Sequence, residues 1–285
     1  MKNYILKIAA IFLVTGIISC SDDDEIKGDS ILDTETPELT PLDNYIRDNF
    51  VYPYNIEVVY RWEESEFDLD RYLYPPELEK VRPSLEIIKS IWLDSYTEVG
   101  GENFIKNIAP RQLALSGGFN INPEGTITLG LAEGGKKIVF FNVDFLDSSN
   151  KANVQQFLGT IQHEYTHILN QTKPFDEQSF GNITPTSYTA NWSEGTDAEA
   201  NELGFVSAYA RSQVTEDFAE MVHFFLNYDN DGWNNFIDSI SNAQARSAIR
   251  AKETIMADYF DQSFDIDVYE LQKVVARNTE EIVNQ

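Results

Sequence analysis

The sequence predicts an α+β fold, a small mixed or mostly antiparallel sheet followed by a helical C-terminal half. Three observations carry this expectation. Short apolar or alternating runs of strand length fall before residue 145, separated by turn signals rich in glycine and asparagine. From residue 151 onward, apolar residues recur at helical spacing over long stretches. Strands first and helices afterwards segregate the two kinds of element instead of alternating them, which is the α+β arrangement. The 285 residues, 42% hydrophobic and 13% aromatic, suffice for one large core.

The first nineteen residues stand outside that core. Lys2 and Lys7 flank the start of an apolar run at 8–18, and Gly16, Ile17, Ile18 and Ser19 lead to Cys20. A positive start, a short apolar stretch and small residues before a cut site read as a secretory signal over 1–19. The run is too short for a membrane-spanning helix. Cys20 is the only cysteine, so no intramolecular disulfide can form. Its position resembles a bacterial lipobox, which implies a lipidated Cys20 as the first mature residue. Ser21-Asp22-Asp23-Asp24-Glu25 resembles the acidic tag of surface-exposed outer-membrane lipoproteins. Residues 20–40 read as a flexible acidic tether and 41–285 as the folded domain.

The formal net charge is −26. Such a surface repels nucleic acid and anionic lipid head groups, whose binding depends on neutralising phosphates, and the sequence has no basic patch. Nucleic acid is therefore excluded as a partner, and the acidity serves solubility.

Within the domain, residues 55–62 read as a strand and 83–96 as an amphipathic helix with Leu85, Ile88, Ile91 and Trp92 at helical spacing. Residues 112–115, 126–129 and 138–143 read as strands, the last two as a hairpin. A helix is expected over 151–171, with Asn150 as N-cap and Val154, Phe157, Leu158, Ile161, Tyr165 and Ile168 on its buried face. Residues 172–193 read as loop, and further helices are expected at about 195–211, 215–227, 242–259 and 267–282.

The chemistry lies in the first of these helices. His163-Glu164-Tyr165-Thr166-His167 is an H-E-x-x-H run, and it holds two of the chain's three histidines. Residues four apart stand one turn apart on one helix face, so two imidazoles can grip one ion. Zinc suits imidazole ligands in tetrahedral geometry. Glu164, at the edge of the same face, is placed to take a proton from a water at the site. A catalytic zinc site has three protein ligands, and the third is open at this point. The class with a third histidine six residues after the second is excluded, because Lys173 and Asn170 occupy its histidine and glycine positions. The candidates are His223 and the acids Glu194, Asp197, Glu199, Glu202, Glu216, Asp217 and Glu220. Glu216 and Glu220 share one face of the helix expected at 215–227, which favours Glu216 as ligand and Glu220 as an acceptor for a ligand imidazole. Tyr209 can donate from its phenol to a developing oxyanion. Glu202, after Asn201, is the rival third ligand. His223, seven residues after Glu216, reads as a core histidine or a support of the metal ligands.

This pattern resembles the gluzincin-type catalytic domain of the lethal-factor metalloprotease: H-E-x-x-H, then tyrosine, six residues, glutamate, two residues, alanine and glutamate. The resemblance covers about 155–225. It implies a zincin-like fold, His163, His167 and Glu216 as ligands of one zinc ion, Glu164 as general base and Tyr209 as transition-state donor. The lipobox, this motif and the ending Ala251-Lys252-Glu253, Tyr259-Phe260 and Ile266-Asp267-Val268-Tyr269-Glu270-Leu271 resemble a family of lipoproteins identified as substrate-import-associated zinc metallohydrolases. That second resemblance implies an outer-membrane location beside a TonB-dependent import complex.

Residues 227–238 mimic a calcium loop, but Asn227 and Asp238 replace the usual first Asp and twelfth Glu, so the stretch reads as a solvated helix–helix turn, with Ca2+ as the alternative. The tyrosines at 52, 54, 60, 72 and 74 serve a core or a ligand groove. The expected activity is zinc-dependent hydrolysis of peptide or glycopeptide bonds, with a cleft between sheet and helices and an extended peptide added along 126–129 or 138–143. The alternative is a non-catalytic lipoprotein that captures substrate and whose metal site is structural or degenerate. A fourth protein ligand would mark that case.

Overall fold

Gly134 and Gly135 set the register of the sheet. Both take positive φ, 57° and 68°, a conformation side chains resist, and the turn they form joins β5 (Gly130–Glu133) to β6 (Lys137–Phe140). The computed structural model describes residues 38–123 and 125–284. The signal segment, Cys20 and nearly all of the acidic tether lie outside the described residues.

A helix, α1 (Pro41–Ile46), opens the fold behind a Thr40 capping box. β1 (Glu57–Val59) follows. A helical stretch then runs from α2 (Leu78–Ile87) through a π-type segment (Ile88–Leu93) into α3 (Asp94–Gly100), and α4 (Glu102–Ile108) leads to β2 (Gln112–Leu115). This long helical connection carries the chain back across the sheet, so β1 and β2 pair in parallel. β2 pairs in parallel with β6, and β6 pairs antiparallel with β5, giving the order β1-β2-β6-β5. The sheet is thus mixed, with two of its three pairings parallel rather than mostly antiparallel. The expected hairpin is also displaced. β6 pairs with residues 130–133, whereas Ile127–Thr128 pairs with Asn120–Ile121 in a separate small ribbon.

The parallel strands are apolar on both faces because both faces are covered. Leu113, Leu115, Ile138 and Phe140 enter the main core with the helices. Val59, Ala114, Val139 and Phe141 form the other face, where Phe67 and Leu73 pack against them.

The central helix, α5 (Lys151–Thr172), starts where Asn150 accepts from the Asn153 amide. Its expected face is buried, with Val154, Ile161 and Tyr165 fully so. α6 (Glu177–Gly181) interrupts the expected loop. The helix expected at 195–211 is only α7 (Asp197–Asn201). It stops because Gly204 takes φ 89° and the Asn201 side-chain Nδ2 donates to the carbonyls of Phe205 and Val206. α8 (Val214–Asn227) packs along α5, and α9 (Asn230–Ser239), α10 (Ala243–Phe264) and α11 (Val268–Val283) complete the domain. Among the described residues no helix is long and apolar enough to cross a membrane.

The 227–238 segment joins two helices, and the calcium alternative finds no support in it. Asp229 caps α9 by accepting from the Gly232 amide, and residues 230–239 are helix. A helix directs its side chains outward all round, so these residues cannot wrap an ion. They fall in no candidate metal cluster among the described residues.

One feature of the core has no signature in the sequence. Lys252 on α10 and Asp217 on α8 form an ion pair at 2.6 Å with both side chains fully buried. Lys252 also donates to the Gly204 carbonyl at 2.9 Å and lies 3.7 Å from the centre of the Phe205 ring. Asp217 accepts from the Tyr188 hydroxyl at 2.7 Å, and burial pushes its carboxyl up to about 6 against the pull of Lys252. Removing one member of a buried pair costs about 3–5 kcal/mol, because a lone buried charge is left behind. Lys252→Met is therefore expected to lower the unfolding free energy by about that amount, read from urea denaturation. The double change Asp217→Leu/Lys252→Met should recover much of the loss. Equal stabilities for wild type and Lys252→Met would contradict this account.

Candidate metal centre

α5 and α8 bring the candidate ligands together because each presents its acid or imidazole groups one turn apart. His163 Nε2 lies 3.1 Å from His167 Nε2 and 2.9 Å from Glu216 Oε2, and His167 Nε2 lies 3.3 Å from that same oxygen. Atoms held about 2.0–2.1 Å from a tetrahedral zinc stand about 3.3 Å apart, so this triangle has the size that one zinc ion requires. His163 and Glu216 are buried and His167 is partly so.

The other ring nitrogen of His163 fixes its tautomer. Nδ1 lies 2.8 Å from Glu220 Oε1, and donation there turns Nε2 to the triangle, where a cation would displace its proton and take the lone pair. Glu220 is held in turn. Ser207 Oγ donates to its Oε2 at 2.5 Å, the Ala210 amide donates to Ser207 Oγ at 3.1 Å, and His223 Nδ1 approaches Oε1 at 3.2 Å. Burial disfavours charge on His163, yet the Glu216 and Glu220 carboxylates outweigh it and hold the imidazole up to about 10. The arrangement thus favours positive charge at the triangle, which is the electrostatic requirement for a metal cation.

Glu164 stands at the edge of the cluster. Burial raises its carboxyl, against the pull of the two imidazoles. Its Oε2 accepts from the Ala132 main-chain N–H at 2.7 Å. Tyr209 lies in a short 3-10 turn (Tyr209–Arg211), with its ring centre 5.7 Å from that of His163 and 4.9 Å from that of Trp192. Partial burial and the Glu216 charge raise its phenol, which therefore keeps its proton as a donor. A cleft of about 690 Å³ opens beside the cluster. The 126–130 segment and α5 form one side, while Trp192, Tyr209, Phe224 and Tyr228 give the opposite side an aromatic character. This places the cleft between sheet and helices, as expected. Residues 126–129 line the cleft, as one of the two expected edges, together with Gly130 at the start of β5, whereas 138–143 do not.

The rival third ligand is elsewhere. Both Glu202 oxygens accept main-chain amides, from Ser241 and Asn242, ahead of α10. Glu199 closes the capping box of α7, and Asp217 is taken by Lys252. His223 belongs to the Glu220 side of His163 and not to the ligand triangle. It lies against α5 where Gly159 makes room, since a Cβ at 159 would stand 2.0 Å from His223 Nε2. Sequence reasoning missed Ser207, Gly159 and the Ala132 contact. An isolated glycine inside a helical pattern was the one available signal.

With this geometry established, comparison with known proteins decides the family. Residues 35–269 match the sequence model of a family described as "Putative zinc-binding metallo-peptidase". The chain belongs to this metallopeptidase family. A crystal structure of a protein of the same description from Bacteroides caccae ATCC 43185 is similar, with TM-score 0.71 and 34% identity over 85% of this chain and 93% of that one. No curated protein matches the chain. The family description and the His/Glu triangle agree on zinc.

If Glu220 orients His163, then Glu220→Ala should weaken zinc binding about 10–100-fold without abolishing it. Competition with a chromophoric chelator measures this, and unchanged affinity would remove Glu220 from the site.

Proposed function

We propose that the chain is a zinc-dependent endopeptidase of gluzincin type, with His163, His167 and Glu216 as zinc ligands, Glu164 as general base and Tyr209 as oxyanion donor. The observation that carries this reading is the triangle of ligand atoms at 2.9–3.3 Å with Glu164 and Tyr209 beside it on one cleft. When bound there, zinc supplies Lewis-acid polarisation and eases deprotonation of water. Glu164 takes the proton of the attacking water and delivers it to the leaving amine. The protonated Tyr209 hydroxyl donates to the oxygen that gains charge. Glu220 and Ser207 hold the His163 ring in the tautomer the ligand role needs.

The substrate is an extended peptide or glycopeptide, aligned along the main-chain groups of the 126–130 segment that lines the cleft. Among the described residues no Lys or Arg lines the cleft, and Glu164, Asp197 and Glu220 do. A chain-terminal carboxylate would find no cation there, which favours cleavage inside a chain over removal of C-terminal residues. No fourth ligand joins His163, His167 and Glu216 among the described residues, which favours an enzyme over a structural site. The lipobox at Cys20 and the acidic stretch after it support attachment to the outer membrane at the cell surface, beside a TonB-dependent import complex.

Glu164→Gln should lower kcat for peptide-library hydrolysis about 10²–10⁴-fold while zinc content stays at one equivalent. Tyr209→Phe should lower kcat about 10–10³-fold with KM little changed. Wild-type rates for Glu164→Gln would end this mechanism. For the anchor, Cys20→Ala should move the protein from the detergent phase to the aqueous phase in Triton X-114 partition, and an unchanged partition would refute lipidation at that residue.

A further inference from the structure

β5 meets α5 at two points, and both involve Glu164. The Ala132 N–H donates to Glu164 Oε2 at 2.7 Å, and Glu164 Oε1 makes no hydrogen bond among the described residues. Two residues earlier, a Cβ on Gly130 would stand 2.3 Å from Thr160 Cγ2 and 3.2 Å from Glu164 Cγ. The strand comes this close to the helix only because position 130 has no side chain.

The ladder explains why the Ala132 N–H is available. The Phe141 amide donates to the Leu129 carbonyl, and Leu131 pairs with Val139. Alternate residues of an antiparallel strand bond to the partner, so Leu129, Leu131 and Glu133 bond toward β6. Gly130 and Ala132 turn their main-chain groups outward, as an edge strand must. One of those outward groups is spent on Glu164.

Resting on the reading of Glu164 as general base, we propose that the Ala132 amide is a positioning group for that base. The edge strand grips one carboxylate oxygen and leaves the other free for proton transfer. The outward groups that remain for an added peptide strand are the Gly130 N–H, the Gly130 carbonyl and the Ala132 carbonyl. The segment that lines the cleft at 126–130 thus runs on into the strand that aims the base, through a main-chain N–H that only proline removes. A charge-assisted bond from a main-chain N–H to a carboxylate is among the stronger hydrogen bonds a protein makes.

The test has two arms. Amide hydrogen exchange by NMR on zinc-loaded protein compares wild type with Glu164→Ala. The Ala132 amide should exchange at least about 10-fold faster in the variant, while the Leu131 and Glu133 amides, bonded within the sheet, stay unchanged. Ala132→Pro removes the N–H at an outward edge position, where proline is tolerated. It should retain one equivalent of zinc, change KM less than about threefold and lower kcat about 10–100-fold. Equal Ala132 exchange in wild type and Glu164→Ala overturns the proposal, and so does a wild-type kcat for Ala132→Pro. The exchange arm does not depend on folding of the proline variant. It also separates two failures: a wild type that cleaves no peptide refutes the functional reading, whereas an active wild type with unaltered Ala132 exchange refutes only the role of the strand.

Discussion

The site depends on one contact, the imidazole of His163 held between two carboxylates of a single neighbouring helix. Glu216 meets Nε2 and Glu220 meets Nδ1, at 2.9 and 2.8 Å. Because these acids are one turn apart on α8, their separation is set by helix geometry and not by loop conformation. The two ring nitrogens are thus assigned different tasks by one rigid element. Everything else at the centre follows from keeping α5 and α8 in this register. Gly159 lets His223 lie against α5, and Ser207 restrains the far oxygen of Glu220.

The register has its own support behind the site. Asp217 is adjacent to Glu216 and points into the core, where Lys252, Tyr188 and the Phe205 ring surround it. Taking two charges out of water costs several kcal/mol per ion, and an apolar pair of similar volume would pack as well. What an apolar pair would lack is direction. The ion pair, with the Gly204 carbonyl as a further acceptor, admits one arrangement of the start of α8 relative to α10 and the 204–211 segment. That segment carries Ser207 and Tyr209, so a single buried cation lies behind Glu216, the Glu220–Ser207 contact and the phenol.

How much of this was legible in the sequence varies with the range of the interaction. The helix bearing His163, Glu164 and His167 was readable almost to its ends, because periodicity, the Asn150 cap and the four-residue spacing are local. Glu216 and Glu220 were readable by the same spacing on a second helix, with resemblance to a known catalytic domain supplying their roles. The sheet was read less well. Its parallel pairings join residues 57–59 to 112–115 and 112–115 to 137–140, and no local alternation encodes such partners. The hairpin was misplaced for a related reason. Both 126–129 and 130–133 precede the Gly134-Gly135 turn, and only the second abuts it. The helix expected at 195–211 ended early because Gly204 adopts a left-handed conformation that the surrounding apolar residues hide. Lys252 was visible only as one charge in an amphipathic stretch, since its partner lies on another helix.

The same distinction of range explains the division of labour at the cleft. The candidate metal ligands sit on α5 and α8, where backbone hydrogen bonds hold each side chain to a fixed rise and rotation. The opposite edge of the cleft is the 126–130 segment running into β5, whose outward main-chain groups are indifferent to side-chain identity. Glu164 belongs to both sets, being on the metal-facing helix and bonded to the strand. A carboxylate placed only by its helix would follow the candidate ligands. One tied only to the strand would follow the edge of the cleft. Bonded across the gap, its position is constrained by both, and Gly130 is what allows the gap to be narrow enough for that bond to form.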